Sequence, residues 1–149
     1  MFTRLAVLIA VCVAMLPGCS KPGDPADIVG SWVIDAKSID NAAYNAARKA
    51  ANRSKRELTA ADIDPMVRDL AAKLRAAPTI YTFASDGTFE AGNGDDTLTV
   101  TGTWTYAGSV LTAESDASDK PLRFQFEPGS LVNIKSDASL RTITLVRKP

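Results

Sequence analysis

One strand-like segment near the middle of the chain constrains the fold more than any other feature. Residues 97–106 read TLTVTGTWTY, in which apolar or small residues alternate with threonine. A period of two places one set of side chains on each face of a strand and is typical of a half-buried antiparallel strand. The segment therefore predicts a sheet with one face against a core and the other in water.

Shorter segments of similar character lie on both sides of this strand and are joined by turn residues. Asp86-Gly87, between two of them, is a frequent pair in tight β-hairpins. Many short strands at regular spacing indicate a sandwich or a barrel, and a meander of eight strands closes into a barrel without an exposed edge. The sequence therefore predicts a mainly β fold, an eight-stranded antiparallel meander barrel. The strands are expected at residues 30–36, 79–83, 88–92, 97–106, 109–114, 121–127, 131–135 and 142–148.

The one long connection, residues 38–77, is predicted to be a two-helix insert after strand 1. Its first half is rich in alanine, a strong helix former, and Asp40 and Asn41 are expected to cap a helix over residues 42–56. The small apolar side chains of this helix have little surface to bury, so we expect packing to stabilise it only weakly. These small residues are Ala43, Ala46, Ala47 and Ala50.

The second helix of the insert is predicted to begin near Thr59, because Asp62 follows three residues later as in a capping box. It is expected to end before Pro78, since a proline disfavours helical geometry in the residue that precedes it. Its apolar residues recur at the i, i+3, i+4 and i+7 spacing of a helix that buries one face. We expect that face to pack on the barrel. It consists of Ile63, Met66, Val67, Leu70 and Leu74.

The first residues of the chain have the pattern of an export signal. Residues 1–4 carry one positive charge, and residues 5–16 form an unbroken apolar run of twelve. This run is shorter than the roughly 20 residues that a membrane-spanning helix needs, and it fits the core of a secretory signal peptide. Gly18 supplies the small residue expected before the cleavage site.

Residues 16–19, Leu-Pro-Gly-Cys, resemble the lipobox of bacterial lipoproteins. The resemblance implies that a signal peptide, residues 1–18, is removed and that Cys19 carries several acyl chains, which anchor a protein stably where a single chain does not. Residues 19–27 then form a proline-containing tether, and residues 28–149 form the folded domain. Because serine rather than aspartate follows the cysteine, the resemblance favours the bacterial outer membrane, with the domain facing the periplasm.

The composition removes several kinds of chemistry. The chain has no histidine, which excludes His-based acid–base catalysis and the commonest metal ligand. Its two cysteines are Cys12, within the leader, and Cys19, so we expect no disulfide and no thiol chemistry. Seventeen basic side chains balance 17 acidic ones, which gives no global attraction to nucleic acid. We predict a non-enzymatic protein with no catalytic residues, no cofactor, no metal and no nucleic-acid partner.

A second resemblance concerns the start and the end of the barrel. Gly30-Ser31-Trp32 resembles the Gly-x-Trp mark of lipocalins, and the wider pattern, with DGTF and GTW later in the chain, resembles small lipocalin-like bacterial lipoproteins. In that family a basic residue of the last strand packs over the tryptophan at the closed end of the barrel. The resemblance therefore implies that Gly30, Trp32 and Arg147 form the closure of the barrel.

Aromatic side chains that are expected to point into the barrel have two interpretations. An eight-stranded barrel encloses a space that side chains fill or that holds one small ligand. The aromatic residues are then either a solid core or, in part, the lining of a pocket for a small apolar molecule. The candidates for such a lining are Phe83, Trp104, Phe124 and Phe126.

The first helix carries a further candidate surface. Lys49, Arg53 and Arg56 are spaced so that they share one helix face. That face is either a solvated surface or a docking site for an anionic partner, such as lipid headgroups, envelope polysaccharide or an acidic protein.

Two hypotheses of function follow from these patterns. The first is a membrane-anchored, lipocalin-like binding module of the cell envelope that holds a small apolar ligand in the barrel. The second is a protein-interaction module, such as an inhibitor or an immunity-type lipoprotein. The interior of the barrel discriminates between them, because a ligand carrier needs a cavity of a few hundred cubic ångströms.

Overall fold

The computed structural model describes residues 23–54, 59–93 and 99–149. Eight antiparallel strands form one closed barrel, in which each strand pairs with the next in sequence and the last pairs with the first. The predicted eight-stranded meander barrel is therefore confirmed. The strands are β1 (Gly30–Ile34), β2 (Thr79–Phe83), β3 (Thr88–Asn93), β4 (Thr99–Ala107), β5 (Val110–Ser115), β6 (Ser118–Glu127), β7 (Ser130–Asn133) and β8 (Thr144–Arg147).

Two helices, α1 (Ile39–Ser54) and α2 (Ala60–Ala76), lie between β1 and β2, where the insert was predicted. Short 3-10 helices at Pro25–Asp27 and Ala36–Ser38 flank β1. Within the described ranges, none of the helices has the length and apolar character that crossing a membrane requires.

The antiparallel order gives the barrel two distinct ends. The closed end carries the start of β1, the end of β8 and the turns at residues 84–87, 108–109 and 128–129. The helical end carries α1, α2 and the connection at residues 134–143. The chain that precedes β1 and the helices that follow it therefore lie at opposite ends of the barrel.

A core of buried apolar side chains occupies the interior of the barrel. Seven large apolar residues have relative exposures below 2 %, so water reaches almost none of their surface. They form one core cluster together with Ala113 and Phe124. Burial of this apolar surface is the dominant favourable term in folding, at about 25 cal/mol for each Å². The seven residues are Ile28, Trp32, Phe83, Phe89, Leu111, Leu131 and Leu145.

β1 ends two residues earlier than the strand predicted over residues 30–36. The chain turns at Asp35, whose carbonyl oxygen accepts a hydrogen bond from the Ser38 N–H at 2.7 Å, and Ala36 begins a 3-10 turn. Ser38 is buried, and its hydroxyl accepts a hydrogen bond from the Thr144 N–H at 3.1 Å. The strand ends here because the turn into α1 is bonded to the start of β8.

The start of α2 agrees with its prediction, and the start of α1 does not. The Asp62 carboxylate accepts hydrogen bonds from the Thr59 N–H at 2.9 Å and from the Thr59 hydroxyl at 2.8 Å, and α2 begins at the next residue. α1 begins at Ile39 instead of residue 42, and the two expected caps have other partners. Asp40 pairs with Arg75 at 2.8 Å, and the Asn41 amide donates to the Thr142 carbonyl at 2.9 Å.

The two helices pack closely on each other, which corrects the prediction that α2 packs on the barrel. Among the described residues, α2 has no comparably close backbone approach to any strand. Ala43 and Ala47 of α1 are fully buried and Ala71 of α2 is 1 % exposed, and such small side chains allow helices to approach closely. Ala46 and Ala50 of α1 face solvent instead. The apolar face of α2 is only partly covered: Ile63 is buried, and Met66, Val67, Leu70 and Leu74 are half-buried.

Candidate functional site

The closed end of the barrel is organised around one cation and one indole. The β1–β8 register places Arg147 opposite Trp32, and the guanidinium carbon lies 4.7 Å from the centre of the Trp32 ring. This geometry is that of a cation–π interaction, which contributes roughly 0.5–1 kcal/mol at an exposed site. The side chain of Arg147 is exposed, whereas Trp32 is fully buried beneath it.

The same two side chains hold the segment that enters β1. The Arg147 guanidinium donates hydrogen bonds to the carbonyl oxygens of Val29, at 2.7 Å, and Asp27. The Trp32 ring N–H donates to the Ile28 carbonyl oxygen at 2.8 Å. Three successive carbonyl groups before the first strand are thus satisfied by side chains rather than by a neighbouring strand.

Only glycine fits at position 30, because the backbone conformation and the neighbouring Arg147 side chain both exclude a Cβ. The φ of Gly30 is +133°, which an L side chain rarely adopts, and a Cβ there would overlap Nη1 of Arg147. The three residues Gly30, Trp32 and Arg147 therefore lie together at the closed end, as the lipocalin resemblance implies.

The segment before β1, residues 23–28, lies across this end of the barrel. Asp24 caps its 3-10 turn by accepting from the Ala26 N–H at 2.9 Å, and the Asp27 carboxylate accepts from the Asp24 N–H at 3.2 Å. Ile28 is fully buried in the core. At its start, Gly23 lies so close to the ring of Phe126 that a Cβ would stand 2.6 Å from Cε1.

An open cleft of about 680 Å³ lies beside Arg147 at the closed end. The Phe126 ring and the turn at residues 128–129 form part of its wall, and Gln125 and Glu127 add polar groups. The cleft is open to solvent, so it is not an enclosed cavity inside the barrel.

The four residues predicted to line a ligand pocket lie inside the barrel and contact aromatic neighbours. Phe83 stacks on Phe89 with ring centres 6.0 Å apart, and Trp104 meets Phe83 edge-on at 5.9 Å. The Trp104 ring N–H donates to the Ala84 carbonyl oxygen at 2.9 Å, which fixes the indole against the turn at residues 84–87. Phe83 is 1 % exposed, whereas Trp104 is half-buried.

The other two candidates, Phe124 and Phe126, each contact a tyrosine ring. Phe124 is 4 % exposed and meets Tyr81 edge-on at 6.4 Å. Phe126 is half-buried and meets Tyr106 edge-on at 6.2 Å, at the closed end. Burial raises the pKa of the Tyr81 phenol above its ordinary value.

A second open groove, of about 830 Å³, runs along β3, β4, β5 and β6. Its walls carry four carboxylates among exposed threonine side chains. Within the described residues, no group of histidine, cysteine, aspartate or glutamate has a geometry that would hold a metal ion. The carboxylates are Glu90, Glu114, Asp116 and Asp119.

The basic residues of α1 are placed on its outer face. Lys49 and Arg53 are exposed and lie on the same side of the helix as Ala46 and Ala50, away from α2. Arg56, the third residue predicted for this face, lies outside the described residues, and so does Cys19.

The opposite face of α1 makes contacts that sequence patterns did not reveal. The Asn45 amide donates to the Arg141 carbonyl oxygen at 2.8 Å and accepts from the Arg141 N–H at 2.8 Å. The guanidinium of Arg141 lies 3.8 Å from the centre of the Tyr44 ring. Together with the bond from Asn41 to Thr142, these contacts fasten α1 to the connection between β7 and β8. The partners are about a hundred residues apart, so no local spacing signals them.

Comparison with known protein families, curated proteins and solved structures found no match for this chain. The function is therefore inferred from the sequence and the geometry of the chain itself.

Proposed function

We propose that this chain is a lipid-anchored, non-enzymatic binding module of the bacterial cell envelope, whose lipocalin-like barrel is a solid scaffold and whose outer surface binds an envelope partner. Anchoring through acylated Cys19, to the outer membrane and facing the periplasm, is supported by the sequence pattern of residues 1–19.

The observation that carries this proposal is the filled interior of the barrel. Ligand-binding cavities measure roughly 300–1,000 Å³. A side chain that lines such a cavity has a surface that a water-sized sphere can touch. Trp32, Leu111 and Leu131 have no measurable exposure, and Phe83 has 1 %. The interior is therefore organised as a core, which favours the interaction module over the carrier of an internal ligand.

The surface best suited to a partner is the outer face of α1, defined here by Lys49 and Arg53. The insert over residues 38–77 contains eight basic and five acidic side chains, so it is positively charged. Lys73 and Arg75 form ion pairs with Asp69 and Asp40. An anionic partner, such as an acidic protein surface, fits the charge of this face.

The test is capture of envelope proteins by the purified chain and by the variant Lys49→Glu/Arg53→Glu. We expect a partner that binds the parent at low salt, is lost in the variant and is released as salt rises, because attraction between exposed charges is screened over about 8 Å at physiological ionic strength. A matched control, Lys135→Glu/Arg123→Glu, changes two basic side chains outside the insert and should retain the partner. Equal capture by the parent and by the α1 variant would reject this face as the binding surface.

A second candidate function, binding of a small apolar molecule, is favoured by one observation at the helical end. Leu122 alternates with buried Phe124 along β6 and is 44 % exposed, although it pairs with Ala113, which is 1 % exposed. An apolar molecule that covers Leu122 would bind at the mouth of the barrel. Titration with a fluorescent fatty acid tests this candidate: saturable binding that Leu122→Asp abolishes would support it, and absence of saturable binding would reject it.

A further inference from the structure

The path of the chain at the closed end fixes where an N-terminal anchor would attach. Gly23 lies against the Phe126 ring, without space for a Cβ, and the following residues are held by the Asp24 cap and by the buried side chain of Ile28. The bonds from Arg147 to the carbonyl groups of Asp27 and Val29 fasten the same segment to β8. Residues 23–27, which the sequence predicted as part of the tether, are thus part of the folded domain at its closed end.

The distance from Gly23 to the acylation site is limited by covalent geometry. Cys19 precedes Gly23 by four residues. Four residues span at most about 14 Å when fully extended, at 3.3–3.6 Å for each residue. A lipid on Cys19 would therefore hold the closed end within about 14 Å of the headgroups.

The helices lie at the other end of the barrel, well beyond this reach. β6 has ten residues. A strand of that length extends about 33 Å, and a tilt of about 40° in a barrel reduces its height to about 25 Å along the axis. A short tether at the closed end leaves little freedom for the helical end to swing down to the same surface.

We propose that the closed end of the barrel is the membrane-facing surface of the acylated protein, with the lipid headgroup layer as its occupant, and that α1 and α2 point away from the bilayer. This inference rests on the proposed acylation of Cys19. It places the α1 face, with Lys49 and Arg53, where a partner that is not embedded in the same membrane can reach it.

The charges at the two ends of the barrel favour the opposite orientation on an anionic bilayer. The closed end carries Asp24, Asp27, Asp86 and Glu127 in addition to Arg147 and Lys148, so an anionic bilayer does not attract it. The positively charged insert would be attracted to anionic lipids. If charge rather than the tether determined the orientation of the barrel, the barrel would tilt onto its side and bring α1 to the headgroups.

The experiment uses the full-length protein, acylated in a bacterial host and reconstituted in vesicles. Once the leader is removed and Cys19 is acylated, an introduced cysteine is the only free thiol, since the chain has no cysteine besides Cys12 and Cys19. A fluorophore is placed at Ser85→Cys, in an exposed closed-end turn, or at Ala50→Cys, on the exposed face of α1. The vesicles contain lipids with a nitroxide quencher on the headgroup, in phosphatidylcholine alone or with added phosphatidylglycerol.

We expect quenching at Ser85 to be at least about five-fold stronger than at Ala50 in both kinds of vesicle, because about 25 Å of barrel separates the two ends. Equal quenching, or stronger quenching at Ala50, would overturn the inference. Stronger quenching at Ala50 only in anionic vesicles would also overturn it and would assign the basic face to lipid.

Mass spectrometry of the same samples separates this inference from the proposed anchoring. If Cys19 carries no lipid, the proposed anchoring and the orientation derived from it both fail. If Cys19 is acylated, the quenching pattern judges the orientation alone. Equal melting temperatures of the two labelled variants and the parent show that neither label disturbs the fold.

Discussion

The guanidinium of Arg147 covers the ring of Trp32, 4.7 Å from its centre, and at the same time donates hydrogen bonds to the backbone before β1. One exposed side chain therefore closes the barrel in two ways. It covers the indole of the first strand, and it fixes the segment that crosses the closed end.

This relationship predicts an order of stability for three variants. Trp32→Ala should lower the free energy of unfolding by about 3–5 kcal/mol, because a large buried side chain leaves a cavity. Trp32→Phe keeps a ring but leaves the Ile28 carbonyl without its donor, which costs about 1–3 kcal/mol for a buried group. Arg147→Ala should cost less than Trp32→Ala. Urea denaturation measures the three values, and an Arg147→Ala loss as large as that of Trp32→Ala would contradict this order.

A second prediction concerns Gly102, where β4 passes very close to β5. A Cβ at this position would overlap the Glu114 carbonyl oxygen and stand 2.6 Å from the Phe89 ring. Gly102→Ala should therefore destabilise the barrel by about 1–3 kcal/mol, the range of overpacking in a core. Gly108→Ala is the control, because Gly108 has a φ of +57° but no atom near its Cβ position. An unchanged free energy of unfolding in Gly102→Ala would show that β4 and β5 can separate without cost, whereas a loss at Gly108 reports only the strain of its positive φ.

The attachment of α1 to the barrel gives a third prediction. Asn45→Ala removes two hydrogen bonds to the backbone of Arg141 and should lower the free energy of unfolding by about 1–2 kcal/mol. Asn52→Ala changes the same residue type at an exposed position of the same helix and should have almost no effect. Thermal unfolding of both variants provides the comparison. Equal melting temperatures of Asn45→Ala and Asn52→Ala would mean that the contact with Arg141 does not stabilise the protein.

The turn between β2 and β3 gives a prediction about pH. The Thr88 hydroxyl and the Thr88 N–H both donate to the Asp86 carboxylate, at 2.6 and 2.9 Å, and these bonds lower the pKa of Asp86. The folded protein therefore takes up this proton less readily than the unfolded chain. The stability that results is present above the ordinary carboxyl pKa, about 3.9, and is lost as pH falls through the lowered folded value.

Thr88→Val removes the hydroxyl, and the pKa of Asp86 should rise toward its ordinary value. Carboxyl carbon NMR shifts, followed during acid titration, measure the change. Asp137 serves as an internal control, because the Ser139 N–H, at 2.8 Å, is the main cause of its own lowered pKa. An unchanged Asp86 titration in the variant would assign the shift to the backbone rather than to the hydroxyl.

The proposed lipid anchor at Cys19 gives a prediction that does not depend on the fold of the barrel. Cys19→Ser removes the acceptor of the acyl chains, so the protein should move from the membrane fraction to the soluble fraction of cell extracts. Immunoblots of the two fractions measure the change, and Ser20→Ala, the adjacent residue, is the control. Retention of the Cys19 variant in the membrane would reject lipid anchoring through this residue.

Much of the fold could be predicted because its signals are local. The alternation in β4, the Asp86-Gly87 turn and the Thr59–Asp62 cap are each decided by residues a few positions apart. The start of α1 was misplaced because Asp40 and Asn41 have partners far away in the sequence. The packing of α2 was misjudged for a related reason. Its apolar spacing indicates a buried face but not which element covers that face, and the small side chains of α1 could approach it most closely.

The candidate site was predictable only in part. Arg147 over Trp32 followed from a family resemblance, whereas the contact of Arg141 with Tyr44 and Asn45 had no signal in the sequence. The aromatic residues of the barrel had two interpretations in the sequence, because the period of a strand says which way a side chain points and not how much space it leaves. The low exposure of Phe83 and Phe124 favours packing for these two residues, whereas Trp104 and Phe126 are half-buried.

The closure of β1 on β8 also has a consequence for how the protein folds. The Arg147 guanidinium and the Val29 carbonyl that it binds are 118 residues apart, so the first strand lacks one of its two neighbours until almost the whole chain is available. Contacts at such separation require a large loss of chain entropy before they form, and chains rich in them fold slowly. Until then β1 and β8 both expose an unpaired strand edge, which favours association with other chains. We therefore expect the last step of folding to be the slowest one and the stage at which the protein is most prone to aggregate.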